Sequence, residues 1–228
     1  MTDPRLTLLQ GVRDYYSSKL AEHGPHPSGV DWSSVERQRE RFRQLTCNIG
    51  EGPNSVLDLG CGYGALWDYL VGEGKVVRYL GLDISGPMIA QARTLHADLP
   101  DCVFEVGSQP RPGYEHVVAS GIFNVRAGVD RATWEAHVQD TMRVMFEACE
   151  KTCAFNFLTS YSDADRMSPA LYYADPRKVL DFCITRLSLD VELSHHYGAW
   201  DFTVRVLKQR SGGGAEVDGH LSGRILPA

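Results

Sequence analysis

Metal-ligand spacing is missing from this 228-residue sequence. None of its six cysteines (Cys47, Cys61, Cys102, Cys149, Cys153 and Cys183) stands in a Cys-x-x-Cys pair, so spacing indicates neither a zinc ribbon nor a redox dithiol, and no metal site is expected. Positive charge is in deficit. Lys+Arg 23 against Asp+Glu 29 leaves a formal charge of -6, which disfavours attraction to phosphate backbones and anionic bilayers. No window reaches the roughly 18 apolar residues of a membrane span, and the start, MTDPRLTLLQGVRDYYSSK, lacks a signal peptide's apolar run. A cytoplasmic protein with reduced thiols is expected, with no nucleic-acid or membrane partner. Internal repeats, the Ser-His-Asp pattern and the His-Glu-x-x-His pattern are also missing. What remains is ordinary globular composition, 43% apolar and 23% charged, on a chain long enough to bury a core without disulfides.

Two polar helices come first, over 4–22 and 33–49. In the second, Ser33 and Ser34 can cap, and Val35, Phe42, Leu45 and Ile49 make an apolar stripe. The linker between them, residues 23–29, is rich in helix breakers, so the first helix reads as a movable cover. Arg37, Arg39, Arg41 and Arg43 read as a solvated face partly paired with Glu36 and Glu40. From residue 54 strands and helices alternate: strands at 55–59, 76–84, 103–106, 116–120 and 153–158, with helices at 63–72, 85–99, 130–150 and 176–187. The runs 191–197 and 200–207 read as an antiparallel hairpin. The fold class is therefore α/β: a doubly wound, mostly parallel seven-stranded sheet with an antiparallel terminal hairpin and an N-terminal helical cover. The divisions are a cover at 1–52, a main domain at 53–208 and a glycine-rich tail at 209–228. Cys149 and Cys153 share a helix face only if the helix runs past 149, and Cys153 reads better as opening a strand.

The most informative stretch is Asp58-Leu-Gly60-Cys61-Gly62-Tyr-Gly64, an acid and three alternating glycines between a predicted strand and a predicted helix. Glycine suits a sharp turn and a ligand lying against the backbone at the carboxyl end of a strand. The spacing is not that of a phosphate loop. Nineteen residues past Gly64, Asp83 ends the second strand, where a carboxylate can accept bonds from two ribose hydroxyls. Loop and acid together imply a nucleoside-bearing cofactor. A turn cluster and a helix N-cap explain either feature alone but not both.

Over residues 54–208 this pattern resembles the class I S-adenosylmethionine-dependent methyltransferases, which have a Rossmann-like fold. The resemblance implies that the main domain binds S-adenosylmethionine. Gly60, Cys61, Gly62 and Gly64 would line the methionine and ribose portions, Asp58 would anchor the loop and reach the cofactor amine, and Asp83 would hold the ribose. Ile84 and Met88 would flank the adenine, and Ser108 or Gln109 would stand where many members present an aspartate to it.

In such a fold Ser120-Gly121-Ile-Phe-Asn124 faces the sulfonium and the acceptor. Ser120 and Gly121 let main-chain carbonyls approach the cofactor amine. Asn124 can fix a nucleophile's lone pair, or equally satisfy a buried loop carbonyl. Tyr172 and Tyr173 suggest a lid whose rings steady a sulfonium, or else residues that pack the lid down. Tyr15, Tyr16 and Trp32 can close from the amino-terminal side. His116 and His195 read as structural, so proximity carries most of the chemistry.

The runs 29–32, 120–125, 154–161 and 172–176 further resemble a bacterial biosynthetic subgroup similar to azetidine-2-carboxylic acid synthases. Three activities are thus carried forward. They are methyl transfer to a small metabolite in natural-product biosynthesis, cyclisation of S-adenosylmethionine by its own α-amine, and non-catalytic nucleotide binding. A small molecule is the expected partner, and a homodimer is left open.

Overall fold

The computed structural model describes residues 4–97, 99–195 and 197–208, so the tail at 209–228 lies outside the described residues. Strands β1 (Asn54–Leu59), β2 (Val77–Asp83), β3 (Cys102–Val106), β4 (Tyr114–Ala119), β5 (Cys149–Thr159), β6 (Tyr173–Ala174), β7 (Val191–His195) and β8 (Asp201–Leu207) form one sheet. Its order is β3-β2-β1-β4-β5-β8-β7, with β6 attached separately to β5. Pairings among β1 to β6 are parallel; β8 runs antiparallel to β5 and to β7.

Parallel strands must be covered on both faces, and the sequence supplies residues for both. Leu57, Leu80 and Val117 turn to one side, with Trp134 and Met142 of α5 (Arg131–Ala148). Val56, Tyr79 and Val118 turn to the other, with Leu66 of α3 (Ala65–Gly72), Ile89 of α4 (Gly86–Leu95) and Phe42 of α2 (Val35–Thr46). Helix α6 (Pro176–Arg186) buries Val179 and Cys183. Order reverses between β2-β1 and β4, which puts the switch point, and hence the ligand crevice, beyond the carboxyl ends of β1 and β4.

Four expectations need correction. The sheet has eight strands, because Tyr173–Ala174, read as lid, pairs with Leu158–Thr159. Helix α5 stops at Ala148, since Cys149 turns to φ -78°, ψ 151° while its N–H still reaches the Met145 carbonyl. Cys149 and Cys153 therefore both lie in β5, and no cluster of three or more His, Cys, Asp or Glu suited to a metal occurs among the described residues. The arginines of α2 are not one solvated face. Arg39 pairs with Glu73 and Arg43 with Glu40 at the surface, but Arg41 is buried against Asp201. Val35 is exposed rather than part of the stripe.

The linker after α1 (Pro4–His23) is folded: Pro27–Val30 forms a 3-10 turn, and the Trp32 N–H donates to the Pro27 carbonyl at 2.8 Å. Val12 of α1 joins the core, and the Ser17 and Ser85 hydroxyls stand 2.9 Å apart. Among the described residues no helix is long and apolar enough to cross a membrane.

Candidate functional site

The carboxyl ends of β1, β2 and β4 open into a cavity roofed by α1 and the 3-10 turn. Its floor holds Gly60, Gly62, Asp83, Ile84, Met88, Ser108, Ser120 and Gly121; its roof holds Leu9, Val12, Arg13, Tyr16, Val30 and Trp32.

Local sequence explains the floor. Gly60 takes φ +77° directly after β1, and a Cβ there would stand 2.2 Å from Ile122 Cγ2, so no side chain fits. Gly60 and Cys61 each donate their N–H to the Leu82 carbonyl, at 2.7 and 3.0 Å, which ties the loop to the end of β2. Asp83 completes the tie. One of its oxygens accepts the Gly62 N–H at 3.0 Å and the other the Ser85 N–H at 2.8 Å. Burial pushes the Asp83 carboxyl upward, while the Ser85 and Gly62 N–H groups oppose that rise. Ser85 then caps α4, accepting from the Met88 N–H at 3.3 Å, and this sets Met88 beneath the cavity.

Other loop residues serve the cavity from behind. Asp58 is buried and accepts a hydrogen bond from the Tyr79 hydroxyl at 2.6 Å. Burial raises its carboxyl to about 7, against the lowering effect of Tyr79 and with a smaller push from the Asp83 charge. Cys61 packs its sulfur against Gly81, and burial lifts its thiol well above the ordinary value. Gly64, at φ +92°, begins α3, and a Cβ there would meet Phe104 and His96 at 2.7 and 2.8 Å. Its glycine requirement comes from this left-handed φ and from packing together, and Asp58, Cys61 and Gly64 are not on the cavity wall.

Asn124, Tyr172 and Tyr173 also stand off the wall. They are brought to one another: the Tyr172 N–H donates to the Asn124 carbonyl at 2.8 Å, and Asn124 Oδ1 accepts from the Leu158 N–H at 3.4 Å. Tyr172 is buried beneath the Arg131 guanidinium, 5.2 Å from its ring centroid, and burial raises its hydroxyl to about 12. The Tyr173 hydroxyl accepts the Ser168 N–H at 3.0 Å. Pairing of Tyr173–Ala174 with Leu158–Thr159 fixes the backbone of this stretch, and Asn124 Nδ2 lies close to Gly121, 3.5 Å from where a Cβ would stand.

Among the described residues the Ser120 hydroxyl is buried without a hydrogen-bond partner, and Ser120 is on the wall. A ligand group is a natural partner for such an atom. The adjoining Gly121 N–H is already taken by Asn156 Oδ1 at 2.7 Å. His116 is settled as structural: it meets the Thr152 hydroxyl at 2.7 Å, and burial lowers its imidazole to about 4.

Sequence reasoning placed Tyr16 and Trp32 near the site but missed Leu9, Val12, Arg13, Val30, Ile122, His137 and Thr141. His137 and Thr141 carried a weak signal, being four apart on α5 and each one residue before the apolar Val138 and Met142. Tyr15 stands outside the wall, edge-on to Tyr16 at 5.2 Å.

Residues 56–151 match a family model described as a methyltransferase domain. A Mycobacterium tuberculosis protein named "Putative methyltransferase Rv1506c" is 42% identical over 156 residues, covering 68% of this chain and 94% of its own. Magnesium protoporphyrin IX methyltransferase from Synechocystis PCC 6803, solved with SAH, superposes with a TM-score of 0.61 at 15% identity, over 87% of this chain and 98% of its own. A DhpI–SAH complex gives 0.61 at 17% identity, over 87% and 95%. These two likenesses concern the fold. With the family model, the mycobacterial relative and the glycine loop in agreement, the chain belongs to the class I S-adenosylmethionine-dependent methyltransferases, with S-adenosylmethionine as methyl donor.

Proposed function

We propose that this chain transfers a methyl group from S-adenosylmethionine to a small metabolite in a biosynthetic pathway, in the cytoplasm, and that the cavity beneath α1 is where it does so. In this reading residues 1–52 are the cover and 53–208 the cofactor domain. The observation that carries it is Asp83, on the cavity wall beside Gly60 and Gly62 with its two oxygens oriented by the Gly62 and Ser85 N–H groups. A carboxylate has about four acceptor sites, so two remain for vicinal ribose hydroxyls.

The residues present fit the group. Ile84, Met88 and Ser108 suit a flat heterocycle. The main chain at Gly60 and Gly62 suits close approach, and the unpaired Ser120 hydroxyl suits the amino-acid end. Asp58, Cys61 and Gly64 support the loop from behind. When bound, the cofactor supplies a methyl group on an electron-poor sulfonium. The chain's part is to hold the acceptor in line and to exclude water with Leu9, Val12, Val30 and Ile122. Positioning alone can supply roughly 7–11 kcal/mol of a barrier, which suits a site built on orientation.

Cyclisation of the cofactor is the competing activity. Asn124, Tyr172 and Tyr173 are candidates for either reaction, and their position off the wall distinguishes neither. Incubating the protein with S-adenosylmethionine and no acceptor, followed by mass spectrometry, separates the two. Intact cofactor is expected; methylthioadenosine with azetidine-2-carboxylate would replace this reading by cyclisation. Asp83→Ala is expected to weaken binding by calorimetry at least about tenfold. It loses two hydrogen bonds to a charged group, worth about 1.5–3 kcal/mol each before water compensates. An unchanged affinity removes Asp83 from the site.

A further inference from the structure

We infer that the buried Arg41–Asp201 pair sets the charge behind Trp32, so that the indole favours a cationic sulfonium over a neutral thioether. The inference rests on the cofactor reading above.

Its parts come from three distant stretches. Helix α2 delivers Arg41 and β8 delivers Asp201, which stands opposite Leu158 at the carboxyl end of β5. Both are almost fully buried, at 7% and 2% exposure, and form an ion pair. Arg41 Nη1 also donates to the Arg37 carbonyl at 2.8 Å. The guanidinium carbon lies 4.1 Å from the centroid of Trp32, whose ring lines the cavity. The ring edge rests on Gly121, where a Cβ would come within 2.7 Å of Trp32 Cζ2. Trp32 is thereby gripped between a charged pair and the Ser120-Gly121 turn.

A buried pair is weak evidence for stability, because desolvation of both ions offsets their attraction. Its place behind the indole gives it another consequence. The electron-rich face of tryptophan attracts cations, but a guanidinium already seated on the ring draws on the same electrons and repels a second cation across it. Asp201 cancels that charge. With the pair intact the ring is left able to favour a positive ligand; without Asp201 it faces the cavity with a bare cation behind it.

The test compares two ligands that differ in that charge. Dissociation constants for S-adenosylmethionine and S-adenosylhomocysteine are measured by titration calorimetry on the full chain. Asp201→Asn is expected to weaken S-adenosylmethionine about tenfold and S-adenosylhomocysteine less than about twofold. The double variant Arg41→Met/Asp201→Asn, neutral again, is expected to restore the wild-type ratio. Trp32→Leu is expected to lose about tenfold for the cation alone, and it decides the matter together with the double variant if Asp201→Asn does not fold. Equal losses for both ligands in Asp201→Asn or Trp32→Leu, or a double variant with an altered ratio, overturn the inference. Wild-type protein that binds neither ligand removes the cofactor site and this inference with it. Binding of both with an unmoved ratio removes this inference alone.

Discussion

Two aromatic stretches border the same rim of the sheet, one in the amino-terminal segment and one between β5 and α6. Tyr16 and Trp32 of the first are on the cavity wall, whereas Tyr172 and Tyr173 of the second are not. Composition does not separate them. The difference is in what holds each backbone. Residues 173–174 are hydrogen-bonded to β5 as a strand, which turns Tyr172 into the core under Arg131. The first stretch pairs with no strand; a 3-10 turn and the Ser17–Ser85 contact lay it over the glycine loop, with Val30 3.4 Å from where a Gly62 Cβ would be.

The contrast is broken most forcefully at Tyr172. Tyr172→Ala removes a buried ring and is expected to cost about 3–5 kcal/mol in denaturant unfolding, while cofactor affinity in the folded protein stays within about twofold. A large affinity loss would return this stretch to the site.

Asp58, beneath the loop and apart from both stretches, measures the floor by itself. Burial lifts its carboxyl to about 7 from the ordinary 3.8, so between those pH values the native state binds more protons than the unfolded chain. Stability contributed by the protonated group is complete below about pH 4 and is lost as pH rises toward 7. Asp58→Asn is expected to remove roughly 2–4 kcal/mol of that decline, read from urea midpoints across the window. An unchanged slope would show that the group titrates normally.

Ser17→Ala loosens the roof alone. Loss of the hydroxyl pair is expected to reduce cofactor affinity by about 0.5–1.5 kcal/mol, seen by calorimetry. An effect on stability with none on affinity would mean that α1 covers the core and not the ligand. The smallest change is expected from Tyr173→Phe, which gives up one acceptor for the Ser168 N–H, about 0.5 kcal/mol by thermal melting, with affinity untouched.

The alternation of strands and helices was legible because each element's burial pattern is written within a few residues. Continuous apolar runs such as Val56-Leu57 belong to strands covered on both faces, and Trp134, Val138, Met142 and Met145 keep helical spacing. The glycine loop and Asp83 were legible for the same reason. Strand end, turn and helix cap are contiguous, and short ties from Gly60, Cys61 and Gly62 to Leu82 and Asp83 cross between neighbouring strands. At Gly64 a second constraint joins the turn: Phe104, a partner forty residues away that spacing does not reveal, leaves no room for a Cβ. The two-residue β6 escaped because a pair of residues carries no periodicity.

By itself, then, the chain's order of residues determined the sheet, its parallel core, and the loop-and-acid pair that a nucleoside needs, because these follow from local backbone freedom and from apolar spacing. Tertiary structure decided which side chains close the cavity. It folded the linker, seated Trp32 between Gly121 and Arg41, carried Asp201 from β8 to neutralise that arginine, and withdrew Tyr172 into the core. The physical reason is that burial and charge pairing are properties of neighbours in space, and these neighbours are separated by up to 160 residues of chain, from Arg41 to Asp201.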